Sequence, residues 1–294
     1  MNKPIPQHRL HTESTVDEII PTAARPAHAR GGVAHPTRHA LRALRKVPGV
    51  TAYFWIIKLL TTGMGETTSD YLVHRINPLI AVALGGIGLA AALALQLRVR
   101  RYVAWIYWLA VVMVAIFGTM VADALHVGFG VPYLVSSAFF AGALAVIFVA
   151  WYAREKTLSI HSIDTRPREL FYWATVMATF ALGTAAGDMT AFTLGLGFFS
   201  SGVLFAVVIA IPALAYRLVG LNAILAFWFA YIVTRPLGAS FADWLGRPHS
   251  LGGLGLGTGL VSLGLAIVII GFVGYLTVIR TDEAASPEVL EREA

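Results

Sequence analysis

The feature that most constrains this chain is a succession of apolar runs about 20 residues long, the length at which a helix rising 1.5 Å per residue crosses roughly 30 Å of hydrocarbon. From Thr51 onward eight such segments follow one another, at about 51–70, 77–97, 102–124, 131–152, 170–191, 198–217, 221–243 and 256–279. A transmembrane β-barrel would instead show ~10-residue stretches alternating apolar and polar. Composition agrees: 57% of the 294 residues are apolar, 13% are charged and the mean hydropathy is +0.71, which excludes a soluble enzyme. The expected fold class is therefore all-α, a polytopic membrane protein with eight transmembrane helices. The lipid bilayer is its first partner, and nothing calls for nucleic acid. There is no cysteine, and no His-Glu-x-x-His, Walker A or Gly-x-Ser-x-Gly motif, so neither an enzyme nor a self-contained ATP-driven pump is expected.

Residues 1–49 are polar, rich in Pro, His and Arg, and read as a disordered basic tail, with a short helix around His39 to Lys46 and no signal-peptide order. Residues 281–294 form an acidic tail. Eighteen Lys and Arg fall in the tails and the loops on the side shared by both termini, and only Arg75 and Arg247 on the other. The positive-inside rule then places both termini in the cytoplasm of a bacterial inner membrane.

The chain repeats itself. Each odd-numbered segment carries an aromatic residue and Trp, then Gly ten residues after the Trp, a small residue at fourteen and Asp at fifteen, without gaps. The Trp residues are Trp55, Trp108, Trp173 and Trp228, the glycines Gly65, Gly118, Gly183 and Gly238, and the acids Asp70, Asp123, Asp188 and Asp243. The enclosed hexapeptides read GETTSD, GTMVAD, GTAAGD and GASFAD. Four two-helix units follow, at 50–101, 102–169, 170–220 and 221–280, the second including a cytoplasmic loop. They enter the membrane in the same direction and so are parallel repeats, for which a ring is the natural arrangement. On these Trp positions and hexapeptides the chain resembles a family of bacterial membrane proteins built from four tandem copies of a two-helix repeat of unknown function with a characteristic Trp. The resemblance covers about residues 48–279 and implies a fold but no activity.

Gly and a small residue four apart cut two notches in one helix face and predict close helix packing. The Trp reads as an anchor at the membrane interface or as packing between repeats. The acids carry more weight, because an ionised carboxylate in hydrocarbon costs at least ~2.5–3.5 kcal/mol and needs a partner. Every acid of the membrane region lies in a hexapeptide: the four Asp residues and Glu66. Only Lys58 and Arg235 are basic residues inside spans, and they read as salt-bridge partners of these acids or as gating counter-ions that a substrate cation displaces. His74, His126 and His249 follow their Asp by four, three and six residues and could join the acids as ligands of a divalent metal, while the glycine-rich segments after the acids are expected to fold back into an outer vestibule. The function expected is a gradient-driven transporter of a small cation, a divalent metal above all, with Asp70, Asp123, Asp188, Asp243 and Glu66 as the binding site and no resident cofactor beyond that bound cation. The alternative is a non-transporting scaffold, sensor or partner subunit whose carboxylates pair with Arg75, Arg235 and Arg247.

Overall fold

In hydrocarbon every backbone N–H and C=O must find a partner within the chain, so apolar runs punctuated by Asn, Pro and Gly fold as helices joined by short turns. The computed structural model describes residues 46–285, and among the described residues all regular structure is helical. Eight long helices follow in order: α1 Ala52–Arg75, α2 Pro78–Arg98, α3 Ala104–Asp123, α4 Tyr133–Glu155, α5 Arg166–Asp188, α6 Gly197–Leu218, α7 Ala223–Gly246 and α8 Thr258–Ala285. Their starts follow from local chemistry. The side chains of Thr51, Asn77 and Asn222 accept the free N–H groups of the first turns of α1, α2 and α7, and Pro78 occupies a first-turn position of α2 where its missing N–H costs nothing. All but α1 are long and apolar enough to cross a membrane.

The odd helices form the inside and the even helices the outside. In the apolar windows of α3, α5 and α7, 67%, 67% and 61% of residues are buried, against 22%, 28%, 22% and 6% for α2, α4, α6 and α8. Helix α2 shows what a lipid-facing member looks like: its buried residues Ala81, Gly85, Leu89, Ala92 and Gln96 recur at helical spacing as one stripe. The inner helices touch in the cyclic order α1, α3, α5, α7 and back to α1, a closed ring of four. Each even helix lies mainly on the odd helix of the next unit: α2 on α3, α4 on α5, α6 on α7, and α8 on α1. Gly85 of α2 faces Met120 of α3, Gly202 of α6 faces Phe241 of α7, and Gly259 of α8 faces Tyr71 of α1. Across the closing seam Thr68 and Ser262 share a hydrogen bond of 2.6 Å. This surround explains why α1 need not be as apolar as a membrane span, since α3, α7 and α8 shield its Lys58, Glu66 and Asp70 from lipid.

The glycine notches set the ring. A Cβ on Gly65 would strike Ala115, on Gly118 it would strike Phe180, on Gly183 Arg235, and on Gly238 Thr62. Each partner is the residue seven positions after the Trp of the following unit, and the fourth contact returns to the first unit. The Trp residues pack between repeats. Trp108, Trp173 and Trp228 are buried and Trp55 half-buried. The aromatic before each Trp lies 5.1–5.2 Å from it, and 5.7–6.3 Å from the Trp of the next unit: Phe54 to Trp108, Tyr107 to Trp173, Tyr172 to Trp228 and Phe227 to Trp55. Eight rings thus close a collar around the bundle at its Trp end.

That end is also capped. The loop after α4 buries Ile160 and Ile163 over the collar, and its Leu158 carbonyl accepts a hydrogen bond of 2.8 Å from the Trp228 indole. Lys46 bonds Glu169 in the first turn of α5 at 2.5 Å, and Gln96 at the end of α2 donates to the same carboxylate at 3.1 Å, all three side chains being buried. The disordered basic tail expected over 1–49, its short helix and the acidic end fall outside the described residues except at Lys46–Gly49. There the expectation is corrected, because Lys46, Val47 and Pro48 are buried against the bundle.

Candidate functional site

The residues that face inward along the ring are those at the same few repeat positions, so the site is built of layers. Three residues after the Trp stand Lys58, Val111, Val176 and Tyr231; seven after it, Thr62, Ala115, Phe180 and Arg235; eleven after it, the second hexapeptide residues Glu66, Thr119, Thr184 and Ala239; and fifteen after it, the four Asp. All of these positions are buried except Asp123, which is half-buried.

Arg235 is the hub. Its Nη2 donates to Glu66 Oε2 at 3.1 Å, to Thr184 Oγ1 at 3.0 Å and to Thr119 Oγ1, and its Nη1 donates to the Thr62 carbonyl at 2.8 Å. The hydroxyls of Thr119 and Thr184 also donate to Glu66 Oε2, at 3.2 and 3.1 Å. Three of the four second hexapeptide positions therefore meet at one point, and the fourth, Ala239, is the residue without a polar group. The guanidinium lies 4.6 Å from the Phe180 ring centre. Lys58 has a different fate from the one expected of it. Among the described residues no acid reaches it; its Nζ lies 3.5 Å from the Tyr231 ring centre and 5.0 Å from that of Phe180, and finds no hydrogen-bond acceptor there. Beyond it, at the collar, the hydroxyls of Tyr107 and Tyr172 bond at 2.5 Å.

At the opposite end the Asp residues divide into two pairs. Arg247 joins Asp70 at 2.7 Å and Asp243 at 3.1 Å, tying α1 to α7 across the seam between the first and last units. Burial works against the charge on this guanidinium, but the carboxylates of Asp243 and Asp70 outweigh it and raise its pKa above the ordinary arginine value. Asp123 and Asp188 have no hydrogen bond or ion pair among the described residues, although the charges of Glu66, Asp123, Asp243 and Arg247 all act on Asp188. Helix geometry follows the same division. α3 and α5 each pass at their Asp into a π-helical turn, Ala124–Gly128 and Met189–Thr193, whereas α1 and α7 continue as regular helix past theirs. Such turns widen the helix locally and recur at functional sites.

The metal-ligating set expected from the sequence is not assembled: among the described residues no group of three His, Asp or Glu is placed to hold a metal ion. Each His is engaged elsewhere or apart. His74 Nδ1 meets the Asp70 backbone carbonyl at 2.6 Å, His126 meets the Val131 carbonyl at 3.1 Å and Ser136 Oγ at 3.2 Å with its ring against Tyr133, and His249 is exposed beside Gly255. Arg75, the third arginine considered as a carboxylate partner, lies exposed with its guanidinium carbon 5.5 Å from the Tyr71 ring centre. Each of the glycine-rich segments after α3, α5 and α7 folds back by backbone hydrogen bonds onto the helical turn before it, the last most extensively. Leu254, Gly255, Leu256 and Gly257 donate to the carbonyls of Trp244, Arg247, Leu245 and Gly246, satisfying the end of α7, and Val131 and Leu196 donate to the carbonyls of Leu125 and Thr190 in the two π turns, yet most of these segments stay exposed and, among the described residues, enclose no vestibule. Sequence reasoning missed Thr119 and Thr184, whose signal was their alignment with Glu66 at the second hexapeptide position.

A family profile described as Repeat of Unknown Function (DUF347) matches the chain four times, over residues 53–102, 106–157, 171–220 and 226–282. No curated protein and no solved structure matches.

Proposed function

We propose that this multi-pass membrane protein, which belongs to the Repeat of Unknown Function (DUF347) family, is a gradient-driven carrier of a small cation that enters at the Asp end and is stopped at the Glu66–Arg235 pair. The observation that carries this reading is the charge surplus of the Asp layer. Two cations reach the five acids, Arg235 pairing with Glu66 and Arg247 with Asp70 and Asp243, and the two acids left over are Asp123 and Asp188, each opening a π turn. Carboxylates at membrane depth without a basic partner favour a mobile cation. The Trp end, closed by the collar and by the cap over it, supports a carrier caught with one side sealed, since an open channel would need both ends free. With the termini in the cytoplasm, the sealed end is the inner one. Divalent metal loses its place as favoured cargo, because the expected ligand groups do not gather.

The scaffold reading is favoured by the Arg247 clamp on Asp70 and Asp243 and by the Glu66–Arg235 pair, and it leaves Asp123 and Asp188 without a partner among the described residues. The two Asp pairs thus serve different ends, closure and passage. Purified protein in proteoliposomes tests this division with a panel of monovalent and divalent cations and protons. The Asp123→Asn plus Asp188→Asn variant should keep its unfolding temperature and lose at least about tenfold of the flux, the loss of a single charge-assisted contact. Unchanged flux across the panel, or no flux by the natural chain, overturns the carrier.

A further inference from the structure

The guanidinium of Arg235 occupies a site made for something it resembles. Its partners are one carboxylate oxygen of Glu66, the hydroxyls of Thr119 and Thr184 and the carbonyl of Thr62, which come from three different inner helices and are all oxygen. The site is deep: Glu66 and Thr184 are 1% exposed, and Thr119 and Arg235 0%. It is also held imperfectly, for the Arg235 Nε has no acceptor. A buried guanidinium short of one acceptor is less costly to move than one fully bound. Ala239 stands where the other three units have Glu or Thr, so α7 brings no oxygen of its own at this level.

We infer that these oxygens form the exchange site for a small monovalent cation, for which the Arg235 guanidinium is a tethered stand-in. This deepens the carrier reading and rests on it for the word exchange, though not for binding. Charge sets the valence. One carboxylate with neutral hydroxyl and carbonyl oxygens balances a single positive charge, whereas a divalent ion would leave one unbalanced in a site with no second acid. Hard oxygen donors suit an alkali-type ion rather than a softer metal. The displaced guanidinium has somewhere to go, because the charges of Asp123 and Asp243 act on it as well as that of Glu66, and Asp123 has no ion pair among the described residues. Cation arrival and Arg235 departure would then be one event that keeps the axis neutral.

Thermal unfolding of Arg235→Gln in detergent tests the site, with lithium, sodium or potassium chloride compared with choline chloride and with magnesium chloride at matched ionic strength. In choline this variant should unfold at lower temperature than the natural chain, and a small monovalent cation should restore it. Adding Glu66→Gln should restore stability in choline and abolish the response to cations. Adding Thr119→Val and Thr184→Val to Arg235→Gln should weaken the apparent affinity about tenfold. A response to magnesium alone, to no cation, or one that survives Glu66→Gln overturns the inference. Should Arg235→Gln fail to fold, Thr119→Val plus Thr184→Val in the natural background, with the ion pair intact, should still raise the monovalent concentration for half-maximal flux, and no change there overturns the site. The two claims fail separately. A natural chain without flux whose Arg235→Gln form binds sodium sinks the carrier and keeps the site; divalent flux with no monovalent binding does the reverse.

Discussion

At the scale of single residues, small size and lone charges do different work. Gly183 is the tightest notch, since a Cβ there would run into the Cβ and Cγ of Arg235. Gly183→Ala should therefore destabilise the protein by about 1–3 kcal/mol, the range for overpacking, and weaken the Arg235 hub. Gly264→Ala, on a face of α8 with nothing within 4 Å, should leave the unfolding temperature unchanged and serves as the control. The notches were legible in the sequence because a glycine fixed at one spacing in every copy has few uses other than close approach. What each notch holds was not legible, because a partner on another helix leaves no mark on the spacing of its own. Lys58 shows the same limit: its type predicted an acid as neighbour, whereas aromatic faces from two other helices surround it. The Trp had two readings, and the aromatic always preceding it was the clue to the collar, since an interfacial anchor needs no such companion.

At the scale of elements, the Trp end is held by more than its collar. Lys46 precedes α1, Gln96 ends α2 and Glu169 starts α5, so one buried network joins three elements. Removing one member of a buried ion pair strands the other, and Glu169→Ala should cost about 3–5 kcal/mol in chemical unfolding. Lys46→Met with Glu169→Leu should recover most of that loss, because an apolar pair of similar volume removes both charges together. A single variant as stable as the natural chain would show that the cap is not a closure. Sequence reading assigned Lys46 to a tail and Glu169 to a loop, because a polar stretch next to a membrane span looks solvated until another helix is seen to cover it. The π turns at Asp123 and Asp188 were equally hidden: the four hexapeptides align without gaps, and the difference arises in the turns beyond them.

At the scale of the whole molecule, the ring and the number of spans were legible, since parallel two-helix repeats have few other ways to bury their notched faces. The offset between the repeat and its packing was not. A unit's two helices touch each other less than the second touches the next unit, so covering is completed only when α8 reaches α1. The seam is close at both ends, with Tyr53 and Tyr275 rings 5.7 Å apart at one and Arg247 between Asp70 and Asp243 at the other. A circular permutant that links the ends of α8 and α1 and opens between Val99 and Arg101 should therefore fold and unfold at nearly the natural temperature, by thermal scan in detergent. A chain cut before α8 should not, because it bares α1, the helix with the most polar residues. Four identical copies of a two-helix protein could build the same ring, collar and notches, but every layer would then hold one residue type in quadruplicate: four carboxylates, or four guanidiniums, face to face. Joining the copies in one chain gives each quadrant its own address, and only an addressed ring can set a single Glu66 against a single Arg235 while two hydroxyls and a methyl complete the circle.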